Sequence, residues 1–240
     1  ATINTYYMSM GEAISNVFVP RVYDLLSKED GDHEASLLMT RLGRIQFIVL
    51  SLIYTGFTIF GKTFILLWVG EEYTTAYYVI LLLIIPVTIP EIQKIGLEIQ
   101  KAKNLHKFRS VVYAIIALVN ILLTIPLARF FGAVGASLGT AITVILGNGL
   151  IMNIYYKRKV NVDIGYFWKE IVKLIPAVII SLIIGLIVSH FFAPKSWATF
   201  GIGVVMYTLV YSFFVYLIGM NGDEREFFNK FIKRIKIKKP

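Results

Sequence analysis

The residues best placed to do chemistry lie between Ile84 and Gln100, where an apolar run carrying Pro86 and Pro90 continues into Glu91, Lys94 and Glu98. A helix turns 100° per residue, so positions 91, 94 and 98 fall within roughly 60° of one another and form one charged stripe. A charge near the centre of a bilayer costs about 2.5 to 3.5 kcal/mol on insertion scales, so such groups face a bundle interior or a water-filled cavity. The stripe therefore points to a transport pathway. Its spacing also permits a second reading. Glu91 to Lys94, Lys94 to Glu98 and Glu98 to Lys101 are steps of three or four residues, so the stripe can neutralise itself at a helix end leaving the membrane. Pro86 and Pro90 each remove a backbone donor and bend or break the helix, which membranes tolerate where protein or cavity water satisfies the freed carbonyls.

Glu12 is a second charge inside apolar sequence, on a face shared with Asn4, Met8 and Asn16 at four-residue steps. It reads as a lumen group or as the polar seat of a helix packed on other parts of the protein. Two asparagines complete the list of cavity candidates. Asn120 reads first as an interhelical hydrogen-bonding residue, and Asn148, between Gly147 and Gly149, as a weaker cavity position. Gly135, Gly139, Thr143 and Gly147 recur every four residues, a small-residue seam of the kind that lets two helices approach closely.

The elements that must position these groups are apolar helices. The chain is 57% hydrophobic and 16% charged, whereas soluble domains carry about 25% charged residues. An all-α, polytopic transmembrane bundle follows. Residues 2–23 read as the truncated end of a span, with further spans at about 45–68, 76–100, 110–127, 133–156, 174–192 and 197–220. Ala1 is not an initiator methionine and no basic leader precedes the apolar sequence, so the chain is expected to be cut from a longer protein. Residues 221–240 set Phe227, Phe228, Phe231, Ile232 and Ile235 against many Lys and Arg, a basic amphipathic tail suited to a membrane surface.

Of the 24 Lys and Arg, all but Lys62, Lys94, Arg129 and Lys195 fall in the loops 21–44, 101–109 and 157–173 or after Met220. Alternate loops are thus basic, which sets them and the C-terminus on the cytoplasmic side. The net charge of +9 is accounted for in this way, and a nucleic-acid partner is not expected. Cysteine is absent, so disulfides, zinc clusters and thiol nucleophiles are excluded. His33, His106 and His190 are scattered, and no metal site is expected. No GxSxG, HExxH or phosphate-binding glycine loop occurs, and the turns on the non-cytoplasmic side are short, so neither an enzyme nor a cofactor is expected.

Three stretches carry a family likeness: Val19, Pro20 and Arg21; Pro90, Glu91, Ile92 and Gln93 on to Gln100, Lys101, Ala102, Lys103 and Asn104; and Gly132 through Ala141, reading GAVGASLGTA. With the rhythm of spans, they make the chain resemble the C-terminal half of bacterial polysaccharide (Wzx-like) flippases of the multidrug/oligosaccharidyl-lipid/polysaccharide superfamily. The resemblance implies a two-lobe, MATE-like transporter with a V-shaped central cavity, of which this chain supplies the C-terminal lobe. It further implies movement of an undecaprenyl-diphosphate-linked oligosaccharide across the cytoplasmic membrane, with the N-terminal lobe, membrane lipids and polysaccharide assembly proteins as partners. Lys and Arg suit a pyrophosphate, while Asn and Gln suit sugar hydroxyls. The stripe, however, holds two carboxylates for one Lys94. A cation-coupled drug antiporter of the same superfamily and a non-transporting membrane scaffold are the alternatives.

The absence of cysteine makes the topology directly testable. Single cysteines at Asn104 and Lys159 should label only from the cytoplasm and those at Glu72 and Ser196 only from outside. Labelling of Lys159→Cys by an impermeant reagent added to intact cells would overturn the orientation.

Overall fold

Apolar sequence in a bilayer must satisfy its own backbone, and the helix is the local solution. The computed structural model, which describes residues 2–191 and 194–226, is helical almost throughout and contains no strand among those residues. Helices α1 (Thr2–Asn16) and α2 (Val19–Leu26) precede the long α3 (Gly31–Trp68). After a 3₁₀ turn at Glu71–Tyr73 come α4 (Thr75–Ile92) and α5 (Lys94–Ala102). Helix α6 (His106–Val144) runs through a π turn into α7 (Met152–Tyr155) and a second π turn at Tyr156–Val160. Helices α8 (Ile164–Val172), α9 (Ile175–Phe191) and α10 (Trp197–Phe214) follow, the last closing in a π turn at Val215–Gly219. Five stretches are long and apolar enough to cross a bilayer: Gly31–Trp68, Glu71–Ile92, His106–Val160, Ile164–Phe191 and Trp197–Gly219. The protein is a membrane-embedded all-α bundle.

The 55-residue stretch His106–Val160 would make a rod of about 80 Å, far beyond the ~30 Å hydrocarbon core. It folds back at Gly132, whose φ of 59° and ψ of −139° fall in a region open to glycine alone. The two arms are the spans read at 110–127 and 133–156, and they lie antiparallel. Along the seam Gly135 faces Leu127, Gly139 faces Thr124 and Gly147 faces Ile116. A Cβ at Gly139 would stand 2.8 Å from Thr124 Oγ1, and one at Gly147 would stand 2.0 Å from Ile116 Cδ1. Near the open end Tyr113 donates to Asn148 Oδ1 at 2.7 Å and Arg109 to Tyr156 Oη at 3.1 Å.

The span expected at 76–100 is divided. Pro86 and Pro90 leave carbonyls one turn back without donors, and α4 ends at Ile92 with Gln93 at φ −104°, ψ 14°. Thr88 Oγ1 adds a side-chain donor between the two prolines, to Ile84 O at 2.9 Å. The break packs closely on α3, where a Cβ at Gly43 would meet Ile92 O at 2.8 Å.

Two boundaries differ from the sequence reading. The polar stretch up to Arg44, expected as a loop, is helical from Gly31, so α3 starts 14 residues before position 45 and reaches about 57 Å at 1.5 Å per residue. Its buried positions Ala35, Met39, Leu42, Gly43, Gln46 and Leu50 keep one helical face against the bundle, and Asp32 and Glu34 suit the positive end of the helix dipole. The first span, 2–23, is two helices parted between Asn16 and Val19. Of the basic tail, residues 227–240 lie outside the described residues.

The main core gathers Met39, Leu50, Ile84, Ile92, Ile95, Met152, Tyr156 and Phe167 from α3, α4, α5, α7, α8 and the π turn after α7. A second cluster of Phe60, Ala177, Tyr207, Tyr211 and Val215 ties α9 and α10 to the other half of α3.

Replacing Gly139 by Val should force the hairpin arms apart and cost about 1 to 3 kcal/mol, as overpacking does. Gly201→Val should not, because nothing lies within 4 Å of a Cβ there. Thermal unfolding of the two variants in detergent checks the contrast, and equal midpoints would refute the tight seam.

Candidate functional site

The break in the α4–α5 span is where the charged groups converge. Lys94, the first residue of α5, donates from Nζ to Glu91 Oε1 at 3.0 Å and to Glu12 Oε1 of α1 at 2.8 Å. Their exposures are graded: the Glu91 side chain is 2% exposed, Lys94 20% and Glu12 48%. The ammonium therefore stands between a sealed carboxylate and a wet one.

Helix α1 is seated so that this pairing forms. Gly11 lies against Glu91, where a Cβ would come within 2.6 Å of Oε2. Gln46 of α3 donates to Gly11 O at 2.9 Å and to Ser15 Oγ at 2.7 Å, and Tyr7 Oη bonds Thr88 Oγ1 of α4 at 2.6 Å. Buried polar groups need such partners, and here they fix the register of α1 on α3 and α4. One atom is left out. Glu91 Oε2 is buried with no donor among the described residues.

Of the sequence candidates, the structure joins Glu91, Lys94 and Glu12. Glu98 stands apart and pairs with Lys101 at 2.7 Å, because Lys94 is drawn across to α1 instead of one turn along α5. Asn16 is exposed at the last position of α1. Asn120 accepts from Thr124 Oγ1 at 2.7 Å and from Thr140 Oγ1 at 3.5 Å across the hairpin. Asn148 is buried and accepts from Tyr113. These two asparagines, with the Gly135, Gly139 and Gly147 seam, hold the hairpin together and make no bond to the Lys94 cluster.

The face of α1 turned away from the bundle is uncovered. Thr2, Ser9, Glu12, Ala13 and Asn16 are exposed on it. In a bilayer a face holding a carboxylate and an amide requires water or another protein surface.

Sequence reasoning missed two polar clusters. In the first, Gln93 Nε2 and Trp168 Nε1 both donate to Asn153 Oδ1, at 2.7 and 3.1 Å, pinning the helix break to α7 and α8. No local spacing signals it. The second centres on Arg44, 2% exposed, whose guanidinium donates to Glu170 O at 2.6 Å, Gly219 O at 2.8 Å and the Glu224 carboxylate at 2.6 and 2.9 Å. Glu170 Oε2 adds a contact at 3.4 Å. Arg44 sits in register with the buried face of α3, and that period was its one available sign.

Comparison of the chain with protein-family models, with curated proteins and with solved structures found no match.

Breaking a buried ion pair by removing one partner costs about 3 to 5 kcal/mol, because a charge stays behind uncompensated. Arg44→Met should accordingly lower the unfolding midpoint strongly, and Arg44→Met/Glu170→Leu/Glu224→Leu should recover most of the loss. A midpoint for Arg44→Met equal to that of the unaltered chain would show that the cluster carries no stability.

Proposed function

We propose that this chain is the C-terminal lobe of a membrane transporter that moves a lipid-linked oligosaccharide diphosphate across the bacterial cytoplasmic membrane by alternating access. The observation behind this reading is the Lys94 cluster, an ionised group at a helix break beside the uncovered polar face of α1. Broken membrane helices place half-helix N-termini, the positive ends of their dipoles, at anionic substrate groups. Lys94 occupies that position in α5. A pyrophosphate competing for Lys94 would displace Glu12, which is half exposed and rehydrates at low cost, while the sealed Glu91 keeps its bond. The second lobe would cover α1 and supply the opposite wall. The choice of a sugar-lipid cargo rests on the resemblance to polysaccharide flippases.

One observation favours a second reading, a cation-coupled antiporter. Glu91 Oε2 is buried without a donor among the described residues, and a proton or small cation bound there would satisfy it.

Polymer export normalised to protein level tests the proposal, with the chain supplied together with its second lobe in a flippase-deficient strain. Lys94→Gln should stop export and, by stranding Glu91, lower abundance. Lys94→Gln/Glu91→Gln should restore abundance, the coupling expected of neighbouring charges, while export stays absent. Export recovered in that double variant would rule out Lys94 as a ligand of the diphosphate. Loss of export in Glu91→Gln at normal abundance, with Lys94 intact, would select the antiporter.

A further inference from the structure

At the open end of the hairpin the basic residues sort into two kinds. Lys101 pairs with Glu98 at 2.7 Å, Lys103 with Asp32 at 2.7 Å, and Lys173 with Glu170. Lys107, Arg109, Lys157, Arg158 and Lys159 have no carboxylate oxygen within 4 Å among the described residues. Of the acids nearby, Glu98 holds Lys101, Asp32 holds Lys103 and Glu170 holds Arg44 and Lys173, while Asp163 Oδ1 caps α8 by accepting from Tyr166 N at 2.9 Å and keeps its charge. Five cations thus stand at one rim with no carboxylate paired to any of them among the described residues.

Arg109 differs from the other four, which are exposed. It is partly buried and held in place: Nη1 donates to Tyr156 Oη at 3.1 Å, Nη2 donates to Tyr113 Oη at 2.6 Å, and the guanidinium lies 4.6 Å from the centre of the Tyr113 ring. Tyr113 in turn donates to Asn148, which fixes the phenol. These contacts use one hydrogen on each terminal nitrogen and leave Nε and two further hydrogens in a rigid fork. A planar fork with fixed orientation suits phosphate oxygens in pairs.

The exposed residues of the hairpin identify the depth. Val111, Ile115 and Leu118, on the side of the first arm away from Arg109, and Ile154 on the second arm are exposed apolar residues, so the lipid-facing wall of the hairpin runs up to the level of the cationic rim. Phe108, 39% exposed, stacks on Tyr155 with ring centres 4.1 Å apart, an aromatic pair suited to the membrane interface. We propose that Arg109, flanked by Lys107 and the Lys157–Arg158–Lys159 run, binds the phosphate headgroup of an anionic membrane lipid. The site lies apart from the Lys94 cluster and stands whether or not the chain is a flippase lobe. Complementary charge chooses the occupant: a zwitterionic headgroup brings its own cation to a rim that already has five.

The test is native mass spectrometry of the full chain in neutral detergent micelles, with phosphatidylglycerol or phosphatidylcholine of the same acyl chains. Phosphatidylglycerol should be retained preferentially. A generic surface cation near an anionic headgroup is worth roughly fivefold in binding. Lys159→Gln should cost about that much, whereas Arg109→Gln should cost tenfold or more because a paired contact is lost. Arg109→Lys, which keeps the charge without the fork, should fall between them. If Arg109→Gln unfolds the hairpin end, Lys107→Gln/Arg158→Gln, both at exposed positions, should still weaken phosphatidylglycerol retention over twentyfold. Equal retention of the two lipids, or equal small losses in Arg109→Gln and Lys159→Gln, would overturn the site. Displacement of phosphatidylglycerol by millimolar inorganic phosphate would overturn the lipid assignment and leave a free-phosphate site.

Discussion

A carboxylate sealed inside an apolar bundle needs a cation at contact distance, and the arrangement of α1, α4 and α5 follows from that need at Glu91. With its side chain 2% exposed, Glu91 cannot be hydrated, so Lys94 must begin α5 within one turn of it. Lys94 has that freedom because α4, weakened by Pro86 and Pro90 within it, ends at Ile92. The second carboxylate comes from α1, which reaches the site only because Gly11 offers no side chain to Glu91 and because Gln46 grips the α1 backbone. A glycine, two prolines and a glutamine far apart in sequence thus serve one electrostatic requirement.

The two buried charge clusters answer that requirement differently. Around Arg44 every nitrogen of the guanidinium has an acceptor, two of them backbone carbonyls, and the arrangement has one geometry. Around Lys94 one carboxylate oxygen has no donor and one carboxylate is half in water. A fully satisfied network rigidifies its elements, whereas a partly satisfied one has alternatives of similar energy. The first cluster therefore joins α3, α8 and the end of α10 as a single block, and the second is the place where a rearrangement costs least.

The class of fold, an all-α bundle with helices long and apolar enough to span, was legible in composition and hydropathy, since the bilayer admits few other solutions. The break between the spans at 110–127 and 133–156 and the glycine seam were also legible, because hairpin contacts are local and a four-residue repeat is visible by inspection. Lys94 with Glu91 was readable from spacing. Glu12 as their partner was not: it lies 82 residues away, and the α1 face that carries it could be read equally as lumen or as packing surface. The early start of α3 was obscured by its charges, which suggested a loop although Ala35, Met39 and Leu42 kept helical period. Arg44 was hidden for the same reason, since an arginine in a presumed loop gives no sign that it will be enclosed by acids 126 and 180 residues further on.

The hairpin bent at Gly132 also bears on how the chain is assembled. Its arms touch through Gly135 and Leu127, Gly139 and Thr124, Gly147 and Ile116, pairs only 8 to about 30 residues apart, so closing it costs little loop entropy. Much of its remaining surface is apolar and exposed, so lipid can solvate it before the second arm packs on α4 and Asn153 accepts from Gln93. The Lys94 and Arg44 clusters, by contrast, join residues 82 to 180 positions apart and form only after both ends have been synthesised. Biogenesis is thereby divided in time: every residue of the Lys94 cluster is made before the hairpin, the hairpin zips up as it emerges from the ribosome, and the Arg44 lock, which waits for Glu170 and Glu224, closes last on helices already in place.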